Sequence, residues 1–171
     1  IDNIKGGALT KEYVNAVQKG FANAMRNGVL AGYPLEGLKV TLLDGTYHPV
    51  DSDSLSFEIC ASIAFKNACK KAKSVFLEPI MSLEILSPAD FIGNISGDLN
   101  RRRAVILAID SNINGQIIKA KVPLSEMFGY VTTLRTLSSG RASSTMEFSH
   151  YSTVPESISE TILYKGKYLL L

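Results

Sequence analysis

Apolar positions in the first half of the chain recur at helical spacing. Val14, Val17, Phe21, Ala24 and Met25 form one stripe, which predicts a helix over 11–27 with Thr10 as N-cap and Gly28 as its stop. A second helix is predicted over 53–73, with Leu55, Ile59, Ile63 and Phe65 as its buried positions. Asp51 and Asp53 stand at its start and Lys66, Lys70, Lys71 and Lys73 near its end, both favourable to the helix dipole. Between the helices only Leu38–Leu43 reads as a strong strand, running into Asp44-Gly45. Two amphipathic helices need a sheet to cover, and one strand with a stub at Ile1–Ile4 is too little. Further strands are therefore expected upstream of Ile1.

The pattern changes across Ser74–Pro79. Met81, Leu83 and Ile85 alternate with Ser82 and Glu84 as in a half-buried strand. Ser87, Pro88 and Asp90 predict a helix start, and Phe91, Ile92, Ile95 and Leu99 its apolar side. A strand over Ala104–Ile109 follows. Asn114-Gly115 reads as the centre of a hairpin turn, after which Ile118, Ala120 and Val122 alternate with Lys119 and Lys121. Leu124, Met127, Phe128, Val131, Leu134 and Leu137 predict one helix stripe stopped by Gly140, and Ala142–Tyr151 a last strand. The order βαββαβ predicts a ferredoxin-like antiparallel sheet with both helices on one face, making the chain α+β. A short helix is expected from about Glu156 to Tyr164.

The 171 residues suit two domains of ordinary globular composition, 46% hydrophobic and 20% charged. The longest apolar run, Ala104–Ile109, is far too short to span a membrane, and no signal peptide opens the chain. Ile1 in place of Met fits a fragment or a processed chain. The net charge of +2 is too small to mark a nucleic-acid binder by itself, so any such surface must come from local clusters. Cys60 and Cys69, nine residues apart, face opposite sides of one predicted helix, and reduced buried thiols of a cytosolic protein are expected.

Catalytic motifs are lacking. Gly166-Lys167 is followed by Tyr168 and has no phosphate-binding glycine before it, and HExxH, CxxC and GxSxG patterns do not occur. His48 with Asp51 and Asp53 makes only a weak candidate metal site. The basic residues say more. Arg101, Arg102 and Arg103 are consecutive between a helix and a strand, Lys119 and Lys121 share one side of a strand, and Arg135 and Arg141 flank a helix. Guanidinium forks suit phosphate oxygens, but the same charges also suit a helix C-terminus. The central strands carry no aromatic rings for base stacking, so RNA contact would be through shape and backbone charge. The segment Asp44–Asp51 joins a strand to a helix and sets Tyr47 and His48 beside a turn glycine and Pro49. It reads either as a local cap with an idle histidine or as an exposed loop held out to a partner.

These segments resemble a known family. Lys5-Gly6-Gly7, Ala31-Gly32-Tyr33-Pro34, Gly45-Thr46-Tyr47-His48 and Val50-Asp51-Ser52 resemble domain IV of elongation factor G. Leu77-Glu78-Pro79-Ile80-Met81, the runs Gly97–Arg103 and Val122–Tyr130, Gly140-Arg141-Ala142 and Met146-Glu147-Phe148 resemble its domain V. The resemblance implies a partial domain IV over 1–76, of ribosomal-protein-like α/β fold with a left-handed βαβ crossover. A ferredoxin-like domain V over 77–154 would follow, then a C-terminal helix and tail over 155–171 returning toward domain IV. The family's GTPase domain, with its GTP and magnesium, would precede this segment, which itself would hold no cofactor and no catalytic residue.

The resemblance also implies function. GTP hydrolysis in the parent factor drives transfer RNA and messenger RNA through the ribosome. Gly45, Thr46, Tyr47, His48, Pro49 and Asp51 would form the tip that enters the decoding site. Arg101, Arg102, Arg103, Lys119, Lys121 and Arg141 would be the candidates for ribosomal RNA, beside the stalk-base protein. The implied setting is a monomer in the bacterial cytoplasm, with no membrane partner. Pro49 departs from the family, where a polar residue is usual, which keeps a ribosome-recycling or ribosome-protection relative as the alternative.

Overall fold

A computed structural model describes residues 9–168, with side chains as far as Tyr164. The chain separates into two compact units, Ile1–Val75 with Glu156–Leu171, and Phe76–Pro155. Among the described residues no helix is long and apolar enough to cross a membrane.

In the first unit α1 spans Lys11–Asn27 and α2 spans Ser54–Lys71. Thr10 Oγ1 accepts from Tyr13 N–H at 3.4 Å, and Gly28 ends α1 at a φ of 63°, so both predicted boundaries are realised. Val14, Val17 and Ala24 are buried, as their spacing predicts. The helices meet along Tyr13–Phe57, Gly20–Glu58 and Ala61, and Phe21–Phe65. These contacts advance together along both sequences, so the helices run in the same direction. At Gly20 the approach is closest: a Cβ there would lie 2.3 Å from the Glu58 carbonyl oxygen and 3.0 Å from Ala61 Cβ. The helix α5, Glu156–Tyr168, also falls in this unit.

Three expectations for this unit are corrected. Leu55, Ile59 and Ile63 are exposed, and Ala61 and Phe65 are the buried positions of α2. The contact with α1 selects the phase set by Ala61, and the three aliphatics share a different side of the helix. Leu38–Leu43 shows a single bridge at Leu42 rather than a continuous strand, since no strand among the described residues of this unit runs beside it. Cys60 is exposed and Cys69 half-buried, both as free thiols rather than two buried ones. Burial raises the Cys69 thiol pKa above its ordinary value. The predicted stub Ile1–Ile4 and the Lys5-Gly6-Gly7 segment lie outside the described residues.

The second unit is the ferredoxin-like domain. Strands β1 (Leu77–Ser87), β2 (Val105–Asn112), β3 (Gly115–Pro123) and β4 (Ser143–Thr153) form an antiparallel sheet in the order β2-β3-β1-β4. Helices α3 (Ile92–Arg101) and α4 (Tyr130–Leu137) supply Ile95, Leu99, Tyr130 and Leu134 to one core. Leu83, Ile85, Ile118, Ala120 and Val122 meet them from the sheet, so the alternation read from the sequence is also the alternation of burial.

Helix starts and turns were less legible. A single 3-10 turn, Ala89–Phe91, precedes α3, and Ser87 caps no helix N–H: its hydroxyl donates to the Pro88 carbonyl. The hairpin tip is Ile113-Asn114 rather than Asn114-Gly115, and Gly115 takes φ of 136° where an added Cβ would lie 2.7 Å from the Ser87 carbonyl oxygen. The single stripe from Leu124 to Leu137 is broken at Gly129, whose left-handed conformation resets the phase. Tyr130 is buried instead, while Phe128 is 80% exposed and Val131 also faces solvent.

Gly20→Ala should lower the stability of the first unit by about 1–3 kcal/mol through overpacking, although alanine favours a helix interior by about 1 kcal/mol. Gly97→Ala in α3, where nothing lies within 4 Å of the added carbon, should be neutral or stabilising. Urea unfolding of the two variants checks the contrast.

Candidate functional site

The segment between Leu43 and α2 is an exposed loop built on several ties. Asp44 Oδ1 accepts from Gly45 N–H at 2.7 Å, and Gly45 packs against Leu9, whose Cδ1 would lie 2.7 Å from an added Cβ. Thr46, Tyr47 and Pro49 are exposed. His48 and Ser52 close the loop on itself: His48 N–H donates to Ser52 Oγ at 2.9 Å, and Ser52 N–H donates to the His48 carbonyl at 3.1 Å. Asp53 then caps α2, its Oδ1 accepting from Ser56 N–H at 2.6 Å. Its hydrogen bonds to Ser56 hold the Asp53 carboxyl below the ordinary aspartate range.

Residues of α1 prop the loop from outside. The Tyr13 ring stacks on Phe57 with centroids 4.4 Å apart and tilts against Tyr47 at 5.5 Å. The Tyr13 hydroxyl donates to the Ser52 carbonyl at 3.1 Å, and Ser54 Oγ donates to Glu12 Oε1 at 2.5 Å. Tyr13, Glu12 and Ser52 were not read as site residues from the sequence. No local signal marks Tyr13, whose spacing of four from Val17 and seven from Gly20 reads as one more position of the buried face of α1.

His48 side-chain atoms are 65% exposed, with Nδ1 3.1 Å from Asp51 Oδ2 and 3.4 Å from Val50 N. The two contacts ask for opposite proton placements on Nδ1, and the shorter one to a carboxylate is the better formed. Asp53 does not join His48 and Asp51, and no group of three His, Cys, Asp or Glu side chains suited to a metal occurs among the described residues.

The basic residues separate into different tasks. Arg102 is only 19% exposed: its Nε donates to Asp98 Oδ2 at 2.7 Å, Nη2 to Thr133 Oγ1 at 3.2 Å and Nη1 to the Glu126 carbonyl. Its guanidinium also lies 5.0 Å from the Tyr130 ring centroid. Burial, then the charge of Asp98, raises the Tyr130 phenol well above its ordinary pKa. Arg103 takes a φ of 60° at the end of α3, while Ala104 N–H returns to the Leu99 carbonyl at 3.0 Å. From there its side chain pairs with Glu78 of β1 and lies 3.6 Å from Glu126. Arg101 is 76% exposed and pairs with Asp98 at 3.2 Å.

Lys119 pairs with Asp110 at 3.1 Å, which raises its pKa. Lys121 Nζ donates to Ser149 Oγ at 2.7 Å, and Arg141 lies over the Phe91 ring at 4.5 Å. Lys119 and Lys121 share the sheet face opposite the core, opposite Glu84 and Ser82 of β1. The loop and the basic residues thus occur in different units, and the arginine triplet divides into one outward and two inward side chains.

Comparison with known proteins gives consistent matches. Residues 1–73 match the family model described as elongation factor G, domain IV, and residues 75–162 the one described as elongation factor G C-terminus. The chain is 53% identical over 166 residues to elongation factor G of Amoebophilus asiaticus, covering 97% of this chain and 23% of that protein. It is 54% identical over 163 residues to elongation factor G of Fervidobacterium nodosum, covering 95% and 24%. A crystal structure from Thermus thermophilus superposes with a TM-score of 0.84 at 38% identity, over 98% of this chain and 25% of that one. The chain spans about a quarter of the length of the curated relatives it matches.

Two outcomes follow from the charges. Arg102→Ala removes the closer partner of the nearly buried Asp98, leaving it the exposed Arg101, and should cost about 3 kcal/mol, whereas Arg101→Ala should stay within about 0.5 kcal/mol; thermal unfolding distinguishes them. The Asp53 carboxyl has a folded pKa below its unfolded value, so its contribution is complete above about pH 4. It is lost as pH falls through the lowered folded value. Asp53→Asn keeps a capping oxygen and should flatten stability against pH below about 4, measured by urea titrations at stepped pH.

Proposed function

The chain belongs to the elongation factor G family, and from that premise we propose that it is the ribosome-facing C-terminal part of a factor that moves transfer RNA and messenger RNA. The observation that carries this reading is the loop Gly45–Asp51. It is exposed, yet tied at His48 and Ser52 by paired hydrogen bonds and propped by Tyr13. Such a loop can meet a polyanionic partner without collapsing onto its own domain, and His48 is the ring it holds outermost for contact with the RNA backbone. Gly45, Thr46, Tyr47, Pro49 and Asp51 shape the loop around it.

In this reading the segment works mechanically. GTP and magnesium serve the GTPase domain of the longer factor, the loop occupies the decoding site, and the second unit meets ribosomal RNA and the stalk base. Arg101 is the arginine of the triplet with a side chain available for phosphate, because Arg102 and Arg103 are occupied by Asp98 and Glu78. The setting is the bacterial cytoplasm. Pro49 favours one second reading, a recycling or protection factor of the same GTPase family, since it fixes φ and removes a donor from the loop.

His48→Ala in the full-length factor should slow single-round translocation by about tenfold or more while leaving its thermal unfolding unchanged. A normal rate removes His48 from the mechanism. Ribosome splitting by the same variant, slowed where translocation is not, would select the second reading.

A further inference from the structure

We propose that Tyr13 is a positioning residue for the loop, setting His48 through Ser52 rather than touching the partner itself. This rests on the functional reading of the loop given above. The path is short and continuous. The Tyr13 hydroxyl donates to the Ser52 carbonyl at 3.1 Å, across 39 positions of sequence. Ser52 in turn holds His48 twice, accepting its N–H on Oγ at 2.9 Å and donating its own N–H to the His48 carbonyl at 3.1 Å. A shift of the Ser52 peptide therefore carries His48 with it.

The ring of Tyr13 and its hydroxyl do separable jobs. The ring stacks on Phe57 and meets Tyr47, which fills the base of the loop. The hydroxyl adds one directional bond, and that bond alone orients the Ser52 peptide from α1. A buttress lies beside it, where Ser54 Oγ donates to Glu12 Oε1. Two successive residues of the first turn of α1 thus reach Ser52 and Ser54, on either side of the Asp53 cap that starts α2. The arrangement gives α1 control of the angle at which the loop leaves α2.

The sequence position of Tyr13 fits this role. It lies four residues before Val17 and seven before Gly20, at the N-terminal end of the buried face of α1, so its ring packs on α2 while its hydroxyl reaches on to Ser52. Removing the hydroxyl while keeping the ring should leave folding intact and let the loop sample other angles. The population with His48 correctly set should fall by about fivefold, as expected for one ordinary hydrogen bond.

The experiment is a double-mutant cycle in the full-length factor, with Tyr13→Phe and His48→Ala alone and together, read by single-round translocation. Tyr13→Phe should slow the parent by about fivefold and add no slowing where His48 is already replaced. Thermal unfolding of both single variants should match the parent. Equal slowing by Tyr13→Phe in both backgrounds would assign Tyr13 to general stability and overturn the proposal. So would a normal rate for Tyr13→Phe when His48→Ala is slow. If His48→Ala itself is normal, it is the reading of the loop that fails. Ser52→Ala, which removes the acceptor for His48 N–H, should reproduce the effect of Tyr13→Phe, and Ser52→Thr, which keeps the hydroxyl, should restore it; slowing by Ser52→Thr equal to that of Ser52→Ala would also count against the path.

Discussion

The absence of a side chain at Gly20 sets the first unit. Because Glu58 and Ala61 can come against bare backbone there, α1 and α2 lie close and run in the same direction. Their N-terminal turns are then neighbours, and Tyr13 and Glu12 come within reach of Ser52 and Ser54. A bulkier residue at position 20 would move the helices apart along their whole contact. The exposed loop depends on a packing event more than a turn away from it.

The second unit shows a comparable economy at the end of α3. Three consecutive arginines occupy the last helical residue, the cap and a left-handed position. Each backbone state aims its side chain differently, toward solvent, toward Asp98 and α4, and toward Glu78 on β1. A left-handed conformation is unfavourable for an arginine by about 1 kcal/mol, and the pairing with Glu78 offsets it. One tripeptide thereby ends a helix, links both helices to the sheet and leaves a single positive charge outside.

Legibility in the sequence followed the range of the interactions. The period-two strands around Leu83, Ile85, Ile118 and Ala120 were readable because pleating alone decides which residues face the helices. The boundaries at Thr10 and Gly28 were readable because their partners lie within a few residues, whereas Asp53 read only as a charge favourable to the helix dipole and proves to be the N-cap of α2. The phase of α2 was not: Leu55, Ile59 and Ile63 are as apolar as a core demands, and only the approach at Gly20 selects Ala61 and Phe65 instead. The reset at Gly129 hid Tyr130 and exposed Phe128 for a similar reason, since a left-handed residue changes the phase of all that follows. In the loop, His48 and Asp51 stood out by chemistry and resemblance, whereas Tyr13 contributes from 39 positions away, a distance over which no local pattern carries information.

The hydrogen-bonded ring between His48 and Ser52 has a thermodynamic consequence. A loop that orders only on contact gives up its conformational entropy at that moment, and its affinity falls by the same amount. Here the ordering is completed when the chain folds, so the freedom of about five residues is already spent before any partner arrives, on the order of 1 kcal/mol for each backbone held. Contact can then be fast and reversible, with little reorganisation on release.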